Sequence, residues 1–129
     1  MSNHTATTKY VERWTHPENL DATKDAQQIA YAKLIVDELK KAGWNKAIFQ
    51  GQIFAESSGH IGQSGSAGER SIIQIMPKNL AAYNRDHKTP VSIHGPADQH
   101  IAVKVAAATT LAAAKIYLNK PNSATQSAG

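Results

Sequence analysis

The chain has 129 residues, a size typical of a single domain with one hydrophobic core. Apolar residues make up 41% of it and charged residues 19%, values that exclude general disorder and fibrous repeats. The lack of cysteine excludes a disulfide framework, a zinc–thiolate site and a thiol nucleophile. A formal charge of +4 favours polyanionic partners, but the basic residues are scattered and form no stripe typical of nucleic-acid sites. We therefore expect no nucleic-acid partner.

The N-terminal 22 residues are polar with isolated large side chains, Tyr10, Trp14 and Leu20. This composition predicts a loose arm whose aromatic residues pin it to the domain. The first residues lack the basic-then-apolar pattern of an export signal, and no apolar run approaches the ~20 residues of a membrane helix. We therefore expect a protein that is not inserted into a membrane.

Residues 23–120 contain the helical patterns and form the predicted domain. Asp25 and Gln28 have the spacing of a capping box, and apolar residues then recur at helical spacing until Gly43. Asn45 is the predicted N-cap of a second helix over residues 46–57. Glycines and serines follow up to Gly68, a composition that predicts a loop.

The second half of the predicted domain begins with an apolar run over 72–76. This run is either a short strand or the lead-in to a helix that starts at Pro77. Pro96 opens a long alanine-rich helix that stops at Pro121, and residues 121–129 are predicted to form a flexible tail. The expected fold class is therefore mainly α, with room for a short strand or hairpin near residues 60–76.

Glu56 is the strongest candidate for chemistry. Phe49, Ile53 and Glu56 fall at i, i+4 and i+7 of the second predicted helix, so the carboxylate is expected on its apolar face. Desolvation and the negative end of the helix dipole both favour the protonated carboxyl there, as a proton donor near neutral pH requires. The alternative is a structural glutamate at the edge of the face that bends into water.

The surroundings of Glu56 resemble a known family. Glu56-Ser57-Ser58, the Gly/Ser-rich loop and Gln74-Ile75-Met76-Pro77 look like the signature of lytic transglycosylases related to goose-type lysozyme. The interval between the glutamate and the glutamine matches the family pattern, and Gly68 stands where that pattern has glycine. The similarity covers residues 44–83 and, more faintly, 98–111.

The resemblance implies a lysozyme-like domain that cleaves the bond between MurNAc and GlcNAc in peptidoglycan, without a metal or cofactor. Glu56 would protonate the glycosidic oxygen and then take the proton of the MurNAc C6 hydroxyl, which closes a 1,6-anhydro ring. Gln74 and Met76 occupy family positions that line the sugar groove, and Ser57 would orient the glutamate. A buried amide, a core methionine and a helix-terminal serine are their respective structural alternatives.

The chain departs from the family pattern at two places. Ser71 replaces a glycine three residues before the glutamine, where it would crowd the groove or contribute a hydroxyl. The family's later Ala-Tyr-Asn-Ala-Gly segment, whose tyrosine faces the catalytic centre, has no counterpart. Tyr83 and Tyr117 are the candidates to replace that tyrosine, unless they serve as core or surface aromatics.

Three other functions stay open at this point. A hydrolytic muramidase would need a second carboxylate, for which Glu69, Asp86 and Asp98 are the candidates. A lysozyme-like module could bind cell-wall glycan or serve a larger machine without turnover. A basic helical nucleic-acid binder would lose affinity steeply with salt.

The histidines and glycines suggest no further chemistry. The six histidines show no metal-ligand spacing, and the glycine loop lacks the Gly-Lys-Ser/Thr ending of a phosphate-binding loop. With no export signal, we expect the protein to be carried in a phage particle, delivered by a secretion or conjugation apparatus, or released as an endolysin.

Overall fold

The computed structural model describes residues 6–62, 64–88 and 90–119, and within these the side chains from residue 8 to residue 110. Five α-helices make up most of this part: α1 (Ala6–Glu12), α2 (Ala26–Ala42), α3 (Lys46–Glu56), α4 (Pro77–His87) and α5 (Gln99–Asn119). Two single 3-10 turns, Pro17–Asn19 and Pro96–Asp98, precede α2 and α5. The described residues contain no strand, so the prediction of a mainly α fold is confirmed.

An isolated antiparallel bridge between Arg70 and Ile75 stands where a strand or hairpin was expected. The Arg70 N–H donates to Ile75 O at 3.1 Å, and the Ile75 N–H donates to Arg70 O at 2.7 Å. These two bonds close a compact turn over residues 70–75, called the 70–75 turn below. The expected strand is therefore reduced to a single bridged pair, and α4 begins directly after it with Pro77 in its first turn, as predicted.

The ends of α2 show one correct and one wrong prediction. Gly43 ends the helix with a left-handed φ of 71°, a conformation that costs glycine no Cβ clash. The predicted capping box is absent, because the Asp25 side chain makes no capping bond and accepts instead from the Asp21 N–H at 3.3 Å. Gln28 turns away to Arg13, donating to its carbonyl and accepting from its guanidinium, both at 3.1 Å.

Two clusters of buried apolar side chains form the core. The first joins α1, α2, α3 and α5 through Val11, Trp14, Ile35, Leu39, Phe49, Ile53, Ile72 and Val103. The second joins the 70–75 turn and the segment before α5 to α5 itself through Ile75, Ile93, Ala102 and Val105, and Leu80 and Tyr83 of α4 pack against it. In backbone terms α2 packs along α5, while α1 packs against α3. The 70–75 turn contributes to both clusters, so it is held between α3 and α5.

The N-terminal segment is part of this core, and the expectation of a loose arm is wrong for its described residues. Val11 and Trp14 are fully buried, and the Trp14 indole N–H donates to Gly59 O at 2.8 Å. Tyr10 stacks on His60 with ring centroids 4.6 Å apart. The aromatic residues therefore do pin this segment, Tyr10 from α1 itself and the core residue Trp14 from the turn that follows it.

Two remaining predictions concern α5 and the membrane. Pro96 starts a 3-10 turn that leads directly into α5, as expected. The predicted stop at Pro121 and the tail that follows lie outside the described residues. Within the described ranges, no helix has the length and apolar character needed to cross a bilayer.

Candidate active site

A groove of about 590 Å³ opens between α3, the 70–75 turn and α5. We call it the α3 groove. Its lining comes from the turn before α3, one face of α3, the 70–75 turn and α5: Gly43, Trp44, Asn45, Ile48, Phe49, Gln52, Glu56, Ile73, Gln74, Ile75, Ala106 and Thr110. Glu56 and Gln74, the two principal candidates from the sequence, thus line the same groove.

Glu56 reaches this groove through the geometry of α3. Asn45 caps the helix, its side-chain oxygen accepting from the Ala47 and Ile48 N–H groups at 2.8 and 3.1 Å. Ile48, Gln52 and Glu56 follow at four-residue spacing, so they form one row along the helix and all three line the groove. The cap therefore fixes where the helix starts, and the helical repeat carries the carboxylate to the groove wall.

The Glu56 side chain is exposed, whereas Phe49 and Ile53 are completely buried. The apolar face predicted from i, i+4 and i+7 is therefore split between the core and the groove. The expectation that the Glu56 side chain is buried on this face is wrong, because it is open to water. The same exposure leaves the carboxylate accessible to a ligand in the groove.

Ser57 lies behind the groove wall instead of in it. It is buried, and its hydroxyl lies 2.6 Å from Ile72 O, to which it donates, while accepting from the Gly59 N–H at 3.1 Å. A hydroxyl in this position ties the end of α3 to the 70–75 turn. The hydroxyl, which was expected to orient Glu56, is thus engaged with the backbone.

Gln74 is half-buried at the tip of the 70–75 turn, with a positive φ of 55°. Its amide nitrogen donates to Ser71 O at 2.8 Å, and its backbone N–H donates to the same oxygen at 3.2 Å. These two bonds to Ser71 fix the orientation of Gln74, which lines the groove. The turn geometry thus presents the glutamine next to the helix that carries Glu56.

Ser71 is completely buried and lies outside the groove lining, so it neither crowds the groove nor offers it a hydroxyl. Its φ is 82°, in the region that non-glycine residues rarely adopt. Only glycine takes that conformation without Cβ strain. Gly68 has a similar φ of 85°, and at that position the chain does have glycine.

Ser71→Gly should be more stable than Ser71→Ala by about 1 kcal/mol, because alanine keeps the left-handed strain that glycine relieves. Both variants lose the same hydroxyl, which accepts from the Ile73 N–H at 3.3 Å, so the comparison isolates the backbone. Urea unfolding followed by circular dichroism measures the difference. The same pair of substitutions at the exposed Ser66, which has no positive φ, should show no advantage for glycine. An alanine variant as stable as the glycine variant would contradict the strain argument.

The other predicted substrate contacts lie elsewhere. Met76 is half-buried at the N-cap of α4, next to the groove residue Ile75 but outside the lining. Tyr83 packs beside the second core cluster and stacks on His87 with centroids 3.8 Å apart, so the groove does not contain it. The side chain of Tyr117 lies outside the described residues.

Glu56 is the one carboxylate among the described residues that line the groove. The candidate second carboxylates of a muramidase lie outside that lining. Glu69 folds onto its own loop, where it accepts from the Ala67 N–H at 2.9 Å and lies against Gly65. Asp86 is exposed on α4 beside Arg85, and Asp98 lies against Gly95.

Several groove and support residues were missed by the sequence reasoning. Gln52 could have been found, since it precedes Glu56 by one helical turn on the same side. Trp44 and Thr110 come from segments far apart in the chain, so no local pattern places them together. The buried Gln99 supports the 70–75 turn, and its signal is a polar residue at the start of an apolar helical row.

The groove residues suggest neither a metal nor a highly charged ligand. The described part of the chain contains no cluster of three histidine, aspartate or glutamate residues that could hold a metal ion. Lysine and arginine are also absent from the described lining, which consists of apolar, amide and hydroxyl side chains together with Glu56. Comparison of the chain with family models, with curated proteins and with solved structures finds no match.

Proposed function

We propose that this protein is a peptidoglycan lytic transglycosylase that binds the glycan strand in the α3 groove and uses Glu56 as its acid and base. One observation carries the proposal: among the described residues that line the groove, Glu56 is the single carboxylate, and it lies there together with Gln74. A hydrolytic glycosidase of the usual kind needs two carboxyl groups flanking the bond. A lone carboxylate instead suits a reaction in which the substrate supplies its own nucleophile.

The other groove side chains favour a carbohydrate. Trp44, Ile48 and Ile73 offer apolar surface for the faces of sugar rings, and Gln52, Gln74 and Thr110 offer amides and a hydroxyl for acetamido and hydroxyl groups. Because no lysine or arginine is among the described lining residues, the groove is poorly suited to the phosphates of a nucleic acid. The lysine and arginine residues whose side chains the structure describes lie outside this lining.

The proposed reaction uses one carboxyl group twice. Protonated Glu56 donates its proton to the glycosidic oxygen as the bond from MurNAc C1 to that oxygen breaks, and GlcNAc leaves with a free hydroxyl. The MurNAc C6 hydroxyl then bonds to C1, and the Glu56 carboxylate takes its proton, which restores the acid.

The experiment that tests this function is mass spectrometry of purified peptidoglycan after incubation with the full-length protein. We expect fragments that end in 1,6-anhydro-MurNAc, 18 Da lighter (about one water) than the hydrolysed fragments of the same composition. Fragments with reducing MurNAc ends would instead identify a hydrolytic muramidase. A folded protein that leaves the glycan intact but binds it would be a non-catalytic wall-binding module.

A further inference from the structure

Both backbone polar groups of Ile72 are held by buried side chains from distant parts of the chain. The Ile72 N–H donates to the side-chain oxygen of Gln99 at 2.9 Å, and the Ile72 C=O accepts from the Ser57 hydroxyl at 2.6 Å. Ile72 and Gln99 are completely buried. This residue of the 70–75 turn is therefore fixed between the end of α3 and the start of α5.

Gln99 itself has only one possible orientation in this environment. Its amide nitrogen donates to Ile93 O and to Gly95 O, each at 2.9 Å, while its oxygen is used by Ile72. Both hydrogens of the amide and its acceptor are thus engaged, as the burial of a primary amide requires. Turning the amide over would set oxygen against two carbonyls and nitrogen against an N–H.

The Ser57 bond to Ile72 ties together two segments that each carry a groove residue. Ser57 directly follows Glu56, and Ile72 is two residues before Gln74. A shift of the Ile72 backbone would therefore change the position of the glutamine relative to the carboxylate. Displacements of about 1 Å in a reacting site can cost up to 10²-fold in rate.

We propose that Gln99 is a positioning residue of the α3 groove, which acts through the backbone of Ile72 to hold Gln74 in place relative to Glu56. The inference rests on the proposed glycan cleavage in this groove. Gln99 does not line the groove, so its effect passes entirely through the turn. Ser57 holds the carbonyl of Ile72 as Gln99 holds its N–H, and we call these two bonds the Ile72 clamp.

Gln99→Met is the test, since methionine fills a similar volume without any of the three hydrogen bonds. Gln28→Met is the matched control: this glutamine is also bonded twice, but to Arg13, away from the groove. We expect the kcat for peptidoglycan fragments to fall about tenfold in Gln99→Met and in Ser57→Ala, with KM changing less than about threefold. Gln28→Met should keep the wild-type kcat when assayed well below its unfolding temperature.

Amide hydrogen exchange in the full-length chain gives a second readout that does not depend on activity. In Gln99→Met the turn should open locally more often, because the Ile72 N–H loses its acceptor. We therefore expect the exchange rates of the Ile72 and Gln74 amides to rise about tenfold more than the rates of amides in α2. The double variant Ser57→Ala/Gln99→Met should lose less kcat than the product of the two single losses, because both act on Ile72. If the methionine variant does not fold, Gln99→Asn, which shortens the same amide, takes its place.

Unchanged exchange at Ile72 and Gln74 would overturn the clamp. Faster exchange with a wild-type kcat in an active protein would overturn its positioning role. If the wild-type protein cleaves no glycan, the proposed function fails, and the exchange rates still decide separately whether Gln99 holds the turn.

Discussion

Glu56→Gln should leave the fold intact and slow glycan cleavage by roughly 10²- to 10⁴-fold, the usual contribution of a general acid or base. Glutamine matches the shape of glutamate but can neither give up nor take the proton that both steps need. Because Glu56 is exposed at the end of α3, the substitution removes no buried contact. The measurement is the rate of release of soluble fragments from purified peptidoglycan, with circular dichroism to verify the fold.

Glu69→Gln is the control for this experiment, since the Glu69 carboxylate is bound to its own loop and lies outside the groove lining. It should keep the wild-type rate, and a comparable loss would indicate a two-carboxylate hydrolase. Trp44 lies in the groove, so its fluorescence should report glycan binding, which Glu56→Gln is expected to retain. Cleavage at the wild-type rate by Glu56→Gln would exclude the glutamate as the acid.

The helices could be predicted from the sequence because their signals are local. The Asn45 side chain caps α3 by accepting from the N–H groups two and three residues ahead. Pro77 is itself the first residue of α4. Gly43 ends α2 by its own backbone conformation. Each of these features depends only on neighbours in the chain, so a pattern of a few residues is enough to recognise it.

Long-range contacts account for the predictions that were wrong. Asp25 and Gln28 have capping-box spacing, but Gln28 bonds to Arg13 in the preceding segment, a partner that the α2 sequence does not indicate. Ser57 was expected to orient Glu56, and Ser71 to crowd the groove or contribute a hydroxyl to it. Packing of the turn between α3 and α5 buries both instead.

The position of Glu56 combines a local and a long-range effect. Helical spacing placed it beside Phe49 and Ile53, and that spacing is correct. Whether such a face is core or groove depends on what covers it, and here α5 and the 70–75 turn leave the row Ile48, Gln52 and Glu56 open. Helical periodicity identifies a face of the helix but not the element that packs against it.

Trp14→Ala should lower the free energy of unfolding by about 3–5 kcal/mol, the range for removing a large buried aromatic side chain. Trp14 is 1% exposed in the main core cluster and donates its indole N–H to Gly59 O at 2.8 Å. Since domains of this size are stable by about 5–15 kcal/mol, the loss removes a large share of the total. Urea unfolding of the variant and the wild type, followed by circular dichroism, measures it.

The more conservative Trp14→Phe separates the hydrogen bond from the packing. It keeps an aromatic ring in the core but leaves Gly59 O without the indole donor, so we expect a smaller loss of about 1–3 kcal/mol. Leu34→Ala on the outer face of α2 is the control, because its side chain is 43% exposed and its truncation should cost less than about 1 kcal/mol. If Trp14→Ala cost no more than Leu34→Ala, the N-terminal segment would be the dispensable arm that its composition suggests. A large loss would instead mean that the turn after α1 belongs to the cooperatively folded core.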